Sequence, residues 1–436
     1  MILAILFSVC PMQNLSLQDA ETVALEFNRP FLIAQEETRQ SQEQRGEALS
    51  RWFPAVEYSA EYRQSQENEL ALDAYNLAFP YVKKAYSSVF ELTQPLFSTD
   101  LVFGLKGRNA EYRAAQWSER QTRNNLLFAV RRNYYAVLYY QKALEIRQEH
   151  IDYMTYAYEQ ESGKLRAGNS TTLEVNRSSV AVSNSMSAYY SILKQEKMAR
   201  NALILNLGVD PLEEPNLSIK EQDFPVESTP LIGNVLEEGK RFSENEIRAY
   251  VECALVQRPD LKQLNYMVDA KQQALSEAKG DYLPKITSYL RYSYNDVYLG
   301  ERSWSEQPYN WVGGIALTWN LFDSLLREHK VRKAKSVHRA SMLSYSYGQE
   351  QAETEIRDIL YRIEEALFIY RASHSAVLVA EQAREQAQEK LQYGKIAPLE
   401  YRDAVDALAL ARNQNNQAGF DLMTAYYQLQ LALGED

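Results

Sequence analysis

The chain has 436 residues, a formal net charge of −11 and two cysteines, Cys10 and Cys253. The acidic balance argues against a nucleic-acid partner, because no basic excess offsets phosphate repulsion. Two cysteines cannot build a disulfide framework, and no cysteine or histidine spacing resembles a metal site. The 13 prolines and 16 glycines are few, which favours long helices, whereas 31 tyrosines predict surfaces with one dry and one wet side.

The first residues, 1–14, are predicted to be a truncated secretory signal peptide. Ile2 to Val9 is apolar but far too short to cross a bilayer as a helix, and a charged start is missing. The run before Cys10 also resembles a lipoprotein cleavage site, although Val9 is larger than the residue usual there. Lipidation of Cys10 therefore stays open.

The rest of the chain repeats one plan. The stretch GKLRAGNSTTLEV at 163–175 recurs as EKLQYGKIAPLEY at 389–401, with five identities at an offset of 226. Further anchors recur in the same order, at offsets of 229 for Arg29-Pro30, 230 for Pro54 and 225 for Leu96-Phe97. Ordered matches at nearly one offset indicate an internal duplication.

Repeat one is predicted over 15–208 and repeat two over 247–436, separated by an insert at 209–246. Each repeat should hold a helix, a β-hairpin and a long helical hairpin. In repeat one the β-hairpin covers about 54–97 and the helical hairpin about 98–207, which turns at Gly168. In repeat two they cover about 284–322 and about 323–433, starting at Asp323 or Ser324 and turning at Gly394.

The long helices carry narrow apolar seams in otherwise polar surroundings. Their members are spaced three and four residues apart, which is typical of coiled-coil packing. Without proline, the first of these helices would extend on the order of 100 Å. The two seams are Leu127, Val130, Tyr134 and Val137, and Ile356, Leu360, Ile363, Leu367 and Tyr370.

Period-two alternation predicts four strands, each with one apolar and aromatic face. Their length, about 9–12 residues, is that of a tilted transmembrane β-strand. An amphipathic sheet over a soluble core is the alternative, but aromatic residues near the strand ends favour a membrane girdle. The expected girdle residues are Tyr58, Tyr62, Tyr86, Phe90, Tyr292, Tyr294, Trp311 and Trp319.

Four strands cannot close a barrel, and lipid does not tolerate open sheet edges. Two copies of the chain would give about eight strands, whose interior is filled by side chains. Three copies would give about twelve strands and leave a lumen. A conduit therefore favours a trimer.

The ordered set of duplicated features resembles the TolC-like outer membrane efflux proteins. Those features are Arg-Pro near the start of each repeat, Leu-Phe at the exit from the strands and Gly-x4-Leu-Glu at the helical turn. The resemblance implies a mainly α fold with a β-barrel part. Three copies would form a twelve-stranded barrel in the outer membrane, continued into the periplasm by a coiled-coil tunnel of long helical hairpins, and the insert would join an equatorial domain.

The resemblance also implies the function of an exit duct for a tripartite efflux system. A periplasmic adaptor and an inner-membrane transporter would be its partners, and no cofactor is implied. A duct for type I protein secretion is an alternative within this architecture. A non-conducting periplasmic coiled-coil protein or adhesin is an alternative from another class.

In that family the helical turns form the periplasmic tip, and acidic residues just after each turn narrow the entrance. Aligning the turn glycines carries the entrance onto Glu174, Arg177, Glu400, Asp403 and Asp406. The tip that would dock the adaptor comprises Leu165, Gly168, Thr171, Leu173, Leu391, Gly394, Pro398 and Leu399.

A purely structural role for some of these residues stays open. Thr171-x-x-Glu174 also fits a capping box, and the helix dipole favours acidic residues in a first turn. Ile396 and Leu391 stand where the best-known member has arginine and tyrosine, so any closed-state latch must differ.

No catalytic constellation is found. The sequence lacks G-x4-GK[ST], G-x-S-x-G and HExxH motifs, so we expect the chain not to be an enzyme. The histidines are expected to be surface or helix-face residues rather than metal ligands. They are His150, His329, His338 and His374.

Overall fold

A computed structural model describes residues 15–64, 84–209, 219, 223–226, 241–296, 309–393 and 395–435. The predicted signal segment, Cys10, Gly394 and most of the 209–246 insert lie outside these residues. The helices are α1 (Leu17–Phe27), α2 (Arg29–Ser50), α3 (Thr99–Arg166), α4 (Thr172–Leu207), α5 (Glu244–Gln257), α6 (Pro259–Gly280), α7 (Leu326–Gln392) and α8 (Pro398–Leu433). The strands are β1 (Ala55–Gln64), β2 (Lys84–Phe97), β3 (Lys285–Asp296) and β4 (Tyr309–Thr318).

The chain divides into two compact units, each built from both repeats. The helical unit comprises Met1–Glu36, Trp117–Lys262 and Tyr347–Asp436. The strand unit comprises Glu37–Gln116 and Gln263–Ser346. Equivalent segments of the two repeats therefore share a unit.

Each repeat begins with two helices where the sequence suggested one. The breaks fall at Asn28 and Arg258, whose backbones are extended, with ψ of 115° and 125°. Arg258 precedes Pro259, and a residue before proline is disfavoured in the α conformation. Asn28 also starts α2, because its Oδ1 accepts a hydrogen bond from the backbone N–H of Phe31 at 3.1 Å.

The second long helix starts later than predicted. Ser324 and Leu325 have φ angles of 56° and 69°, a left-handed conformation that an α-helix cannot include. The helix therefore begins at Leu326 rather than at Asp323 or Ser324. Asp323 supports this start, because its Oδ2 accepts hydrogen bonds from the backbone N–H and the Nε–H of Arg327 at 3.2 and 3.0 Å.

The predicted coiled-coil seams form the core of the helical unit. Val130 on α3 and Ile356 on α7 are both fully buried, as a seam facing other helices requires. Tyr134 is buried as well, and its hydroxyl donates to the carbonyl oxygen of Leu15 at 2.8 Å. That bond satisfies the polar end of a buried ring and ties the N-terminal segment to α3.

The four predicted strands form one antiparallel sheet in the order β1-β2-β3-β4. Residues opposite one another share a face of a sheet. Tyr58 is opposite Phe90, Phe90 is opposite Tyr292, and Tyr292 is opposite Trp311. These four residues, the aromatic row, cross the whole sheet on one face, and each is at least 45% exposed in the single chain.

Trp319 does not lie on a strand, although it was predicted to. β4 ends at Thr318, and the indole Nε1–H of Trp319 donates to the carbonyl oxygen of Tyr282 at 3.0 Å. The described helices include none that is both long and apolar enough to cross a bilayer.

Candidate functional site at the helical turns

Both long helical hairpins reverse through turns with the same backbone hydrogen bonds. At the first turn the N–H of Asn169 donates to the carbonyl oxygen of Lys164 at 2.7 Å. At the second turn the N–H of Lys395 donates to the carbonyl oxygen of Lys390 at 2.8 Å. Such six-to-one bonds close helix C-termini. The paired positions differ by 226 residues, so the turns repeat in structure as they do in sequence.

Gly168 has a φ of 79°, which only glycine adopts readily. It ends the first long helix as predicted. The C-terminal partner helices start at equivalent positions, Thr172 and Pro398. Thr171 caps the first of them, whereas Ala397 gives no side-chain cap and leaves the start to Pro398.

A side-chain brace closes the first turn. Ser170 donates from its hydroxyl to Glu161 Oε2 at 2.9 Å, and Lys164 donates from Nζ to Glu161 Oε1 at 2.6 Å. The bond from Lys164 lowers the pKa of Glu161, the bond from Ser170 lowers it further, and partial burial opposes both. The repeat-two equivalents of Glu161 and Ser170 are Ala387 and Ile396, which have no polar side chain, so this brace belongs to the first turn alone.

The acidic positions after the turns differ between the repeats. Glu174 Oε1 accepts a hydrogen bond from Arg177 Nη1 at 2.9 Å, so its carboxylate pairs within its own helix. The capping box is only half formed: Thr171 Oγ1 accepts a hydrogen bond from the N–H of Glu174, but the Glu174 carboxylate does not accept one from the N–H of Thr171. Glu400 and Asp403 occupy the equivalent positions, and two carboxylates cannot pair in this way.

Asp406 is held by a contact that sequence reasoning missed. Its Oδ1 lies 2.7 Å from Nε2 of His150, whose Nδ1 lies 3.1 Å from the hydroxyl of Ser185. A carboxylate only accepts hydrogen bonds, so His150 donates its Nε2–H to Asp406. The side chain of His150 is 10% exposed. This chain of bonds joins α3, α4 and α8.

A ring contact lies beside this link. Tyr153 and Tyr401 pack edge to face with ring centroids 5.3 Å apart. Burial raises the pKa of Tyr153 to about 12, and Tyr401 and Asp406 contribute to the rise while Arg402 opposes them. Tyr153 therefore stays uncharged near neutral pH. It packs α8 against α3 without adding charge near Glu400, Asp403 and Asp406.

Some of the predicted tip residues are half-buried and the others are exposed. Leu165 and Leu391, at the ends of the long helices, are half-buried. Leu173 and Leu399, just after the turns, are 57% and 55% exposed. Thr171 and Pro398 are exposed as well. The turns thus present a matching pair of apolar side chains to the solvent.

The described residues around the turns form no metal site. In the part of the chain that the structure describes, no group of three or more histidine, cysteine, aspartate or glutamate side chains could hold a metal ion. The carboxylates after the turns are exposed.

The sequence matches the outer membrane efflux protein family over residues 22–209 and 251–435. These two ranges fall on the two repeats. A curated relative, the alkaline protease secretion protein AprF of Pseudomonas aeruginosa, is 21% identical over 362 residues, which are 80% of this chain and 70% of that protein.

Solved structures share the fold at low sequence identity. The CmeC outer membrane channel of Campylobacter jejuni superposes with a TM-score of 0.80 at 15% identity, over 96% of this chain and 85% of that one. The outer membrane protein VceC of Vibrio cholerae gives 0.78 at 18% identity, over 96% of both chains.

Proposed function

Because the chain belongs to the outer membrane efflux protein family, we propose that it is the exit duct of a tripartite efflux system in the outer membrane. The family resemblance inferred from the sequence is thereby confirmed. The observation that most supports this function is the aromatic row on an exposed face of the sheet. The same chain bears two long helical hairpins. A lipid-facing sheet and a helical tunnel are what a duct requires.

We propose a homotrimer as the working assembly. Among the described strands of one chain, β1 and β4 each pair on one side only, and open edges do not persist in lipid. Three sheets of four strands would close a twelve-stranded barrel and leave a lumen. A periplasmic adaptor and an inner-membrane transporter would complete the system and supply its energy. In this proposal the chain is a passive conduit and not an enzyme.

Protein secretion is the second candidate, favoured by the relative AprF, whose name is that of a protease secretion protein. Deleting the gene separates the two functions. Loss of resistance to small toxic compounds supports efflux, whereas loss of a secreted protein with unchanged resistance supports secretion.

We propose that Glu400 and Asp403 form the charged part of the periplasmic entrance. They are exposed and three residues apart on α8, so they lie on one side of that helix. Threefold symmetry would turn each into a ring of carboxylates, which favours cations. Glu174 contributes less, since Arg177 neutralises it. Asp406, three residues after Asp403 on α8, is held by His150.

Changing Glu400 and Asp403 together to alanine should therefore reduce cation selectivity several-fold and weaken block by multivalent cations. Single-channel recordings in planar bilayers measure both properties. The matched control is Glu174→Ala with Arg177→Ala, which removes one charge of each sign and should leave selectivity nearly unchanged. Equal selectivity in the wild type and the Glu400/Asp403 variant would rule out this entrance.

We propose that the two turns dock the adaptor through Leu173 and Leu399. Exposed apolar side chains at the tip of a helical hairpin are candidates for a protein contact. Replacing both by glutamine should abolish pump function, measured as drug resistance, while trimers persist in the membrane. Leu410→Gln is the matched control, because Leu410 lies on the same helix α8 and is 59% exposed but lies away from the turn. Wild-type resistance in the double variant would exclude docking at these residues.

A further inference from the structure

In the strand unit, two helices are covered along one side only. Between residues 37 and 50, α2 is half-buried at positions 38, 41, 44 and 48, and the other positions are exposed. The first part of α7 is buried at 327 and half-buried mainly at 331, 334, 338 and 341. α2 leads into β1 and α7 follows β4, so these two helices adjoin in sequence the two edge strands of the sheet.

The exposed side of α7 carries a charge of its own. Residues 328–339 hold five exposed lysine and arginine side chains and one glutamate, in a chain with a net charge of −11. Lys333, Lys335 and Arg339 are among the five. α2 is acidic on balance between residues 36 and 47, where Glu36, Glu37, Glu43 and Glu47 are exposed beside Arg39 and Arg45.

The duplication predicts how these edges meet. Within the chain, α3 of repeat one packs against α6 of repeat two. In the duplicated plan, α7 is the equivalent of α3 and α2 is the equivalent of α6. A second contact of this kind would join α7 of one copy to α2 of another.

A contact between α3 and α6 has an equivalent between α7 and α2, and the residues at the equivalent positions can form an ion pair. The guanidinium of Arg113 on α3 lies 5.7 Å from the ring centroid of Tyr266 on α6. The offset of 226 pairs the buried Leu101 with the buried Arg327 and the buried Val130 with the buried Ile356, and it carries Arg113 to Arg339. The offset of 229 carries Tyr266 to Glu37, and the offset of 230 carries it to Glu36. Either offset sets a glutamate against Arg339.

A second contact gives the same sign of interaction. A Cβ on Gly107 of α3 would lie 3.7 Å from Cβ of Gln273 on α6, so the helices approach closely there. The same offsets carry Gly107 to Lys333, and Gln273 to Gln44 or Glu43. Both translated contacts join a basic side chain of α7 to a polar or acidic side chain of α2.

We infer that the basic edge of α7 binds the acidic edge of α2 of a second copy of this chain, with Arg339 against Glu37 or Glu36 and Lys333 against Glu43 or Gln44. The inference rests on the proposed homotrimer and adds which charges join its subunits. Exposed ion pairs contribute little singly and are screened by salt. Their main effect is to fix which edges meet and in what register, three times in a trimer.

Disulfide trapping tests the contact directly. In a Cys253→Ser background, Lys333→Cys is combined with Glu43→Cys or with Gln44→Cys, because the equivalent Cβ positions at Gly107 and Gln273 are 3.7 Å apart, within reach of a disulfide. Outer membranes are oxidised and run on non-reducing denaturing gels. We expect covalent dimers and trimers from one of these two pairs. The single-cysteine variants, which also reveal any disulfide to Cys10, should run as monomers.

The control pair is Lys333→Cys with Ile33→Cys. Ile33 lies ten residues before Glu43 on α2, about 15 Å away, and a disulfide cannot span that distance. Chemical crosslinking of amines measures the trimer independently. Trimers that form no disulfide at Glu43 or Gln44, or that form one at Ile33, overturn this inference and leave the proposed function intact. Absence of trimers overturns the proposed function itself.

Discussion

Replacing Tyr58 by arginine should prevent the protein from accumulating in the outer membrane. Tyr58 belongs to the aromatic row and is 54% exposed in the single chain, so in a barrel it would face lipid. Arginine on the lipid face costs about 2–4 kcal/mol at the bilayer midplane and about 0–1 kcal/mol at the interfaces, and Tyr58, as an expected girdle residue, belongs near an interface. A homotrimer carries three copies of the change, so about 1 kcal/mol per copy totals about 3 kcal/mol. We expect at least about a tenfold loss of heat-resistant trimer from purified outer membranes.

Ser59→Arg is the matched control, because Ser59 is the next residue of β1 and points to the other face. That face already carries charge, since Arg291 Nη2 and Glu91 Oε2 form an ion pair at 2.7 Å. We expect normal amounts of trimer and a shift of ion selectivity toward anions. Equal losses in both variants, or normal amounts of the Tyr58 variant, would contradict a lipid-facing aromatic row.

The sequence was informative wherever periodicity alone decides the structure. The three-four spacing around Ile356 and Val130 predicted buried seams, because the period of the apolar residues is the period of the helix. The alternation around Tyr58 and Trp311 predicted strands for the same reason. Repetition added the order of the elements and the equivalence of the two turns.

Pairing between distant residues was beyond sequence reasoning. Alternation places Tyr58 and Phe90 on apolar faces, but a one-residue slip in register would have set them on opposite sides of the sheet. His150 is 256 residues from Asp406, and no local pattern announces their contact. The late start of α7 depends on two left-handed residues, at 324 and 325, that carry no glycine signal. In the site, the family resemblance supplied the acidic positions, but the contact between Asp406 and His150 was not predicted.

Replacing Gly208 by alanine should destabilise the helical unit far more than the same change at Gly168. Both glycines follow a helix with nearly the same φ, 75° and 79°. An alanine in the left-handed region costs about 1–2 kcal/mol, and this term is common to both. A Cβ on Gly168 would meet nothing within 4 Å, whereas one on Gly208 would lie 2.2 Å from the carbonyl oxygen of Phe27.

The backbone opposite Gly208 has little freedom to move. Asn28, which follows Phe27, is 4% exposed and donates from Nδ2 to the carbonyl oxygen of Asn206 at 2.9 Å. Relieving the clash would break this bond and separate α1 from α4. Overpacking of this kind typically adds about 1–3 kcal/mol, and more where backbone atoms collide.

Gly434 supplies the third member of the series, because it is the repeat-two equivalent of Gly208 and has a φ of 78°. A Cβ there would lie 3.1 Å from Cα of Arg258, a tight contact that a small shift relieves. Thermal unfolding followed by circular dichroism should therefore rank the alanine variants by loss of melting temperature as Gly208, then Gly434, then Gly168. Since backbone strain is common to all three, the differences isolate the packing of the helix ends against the breaks at Asn28 and Arg258. Equal losses would mean that strain alone sets the cost and that these junctions yield easily.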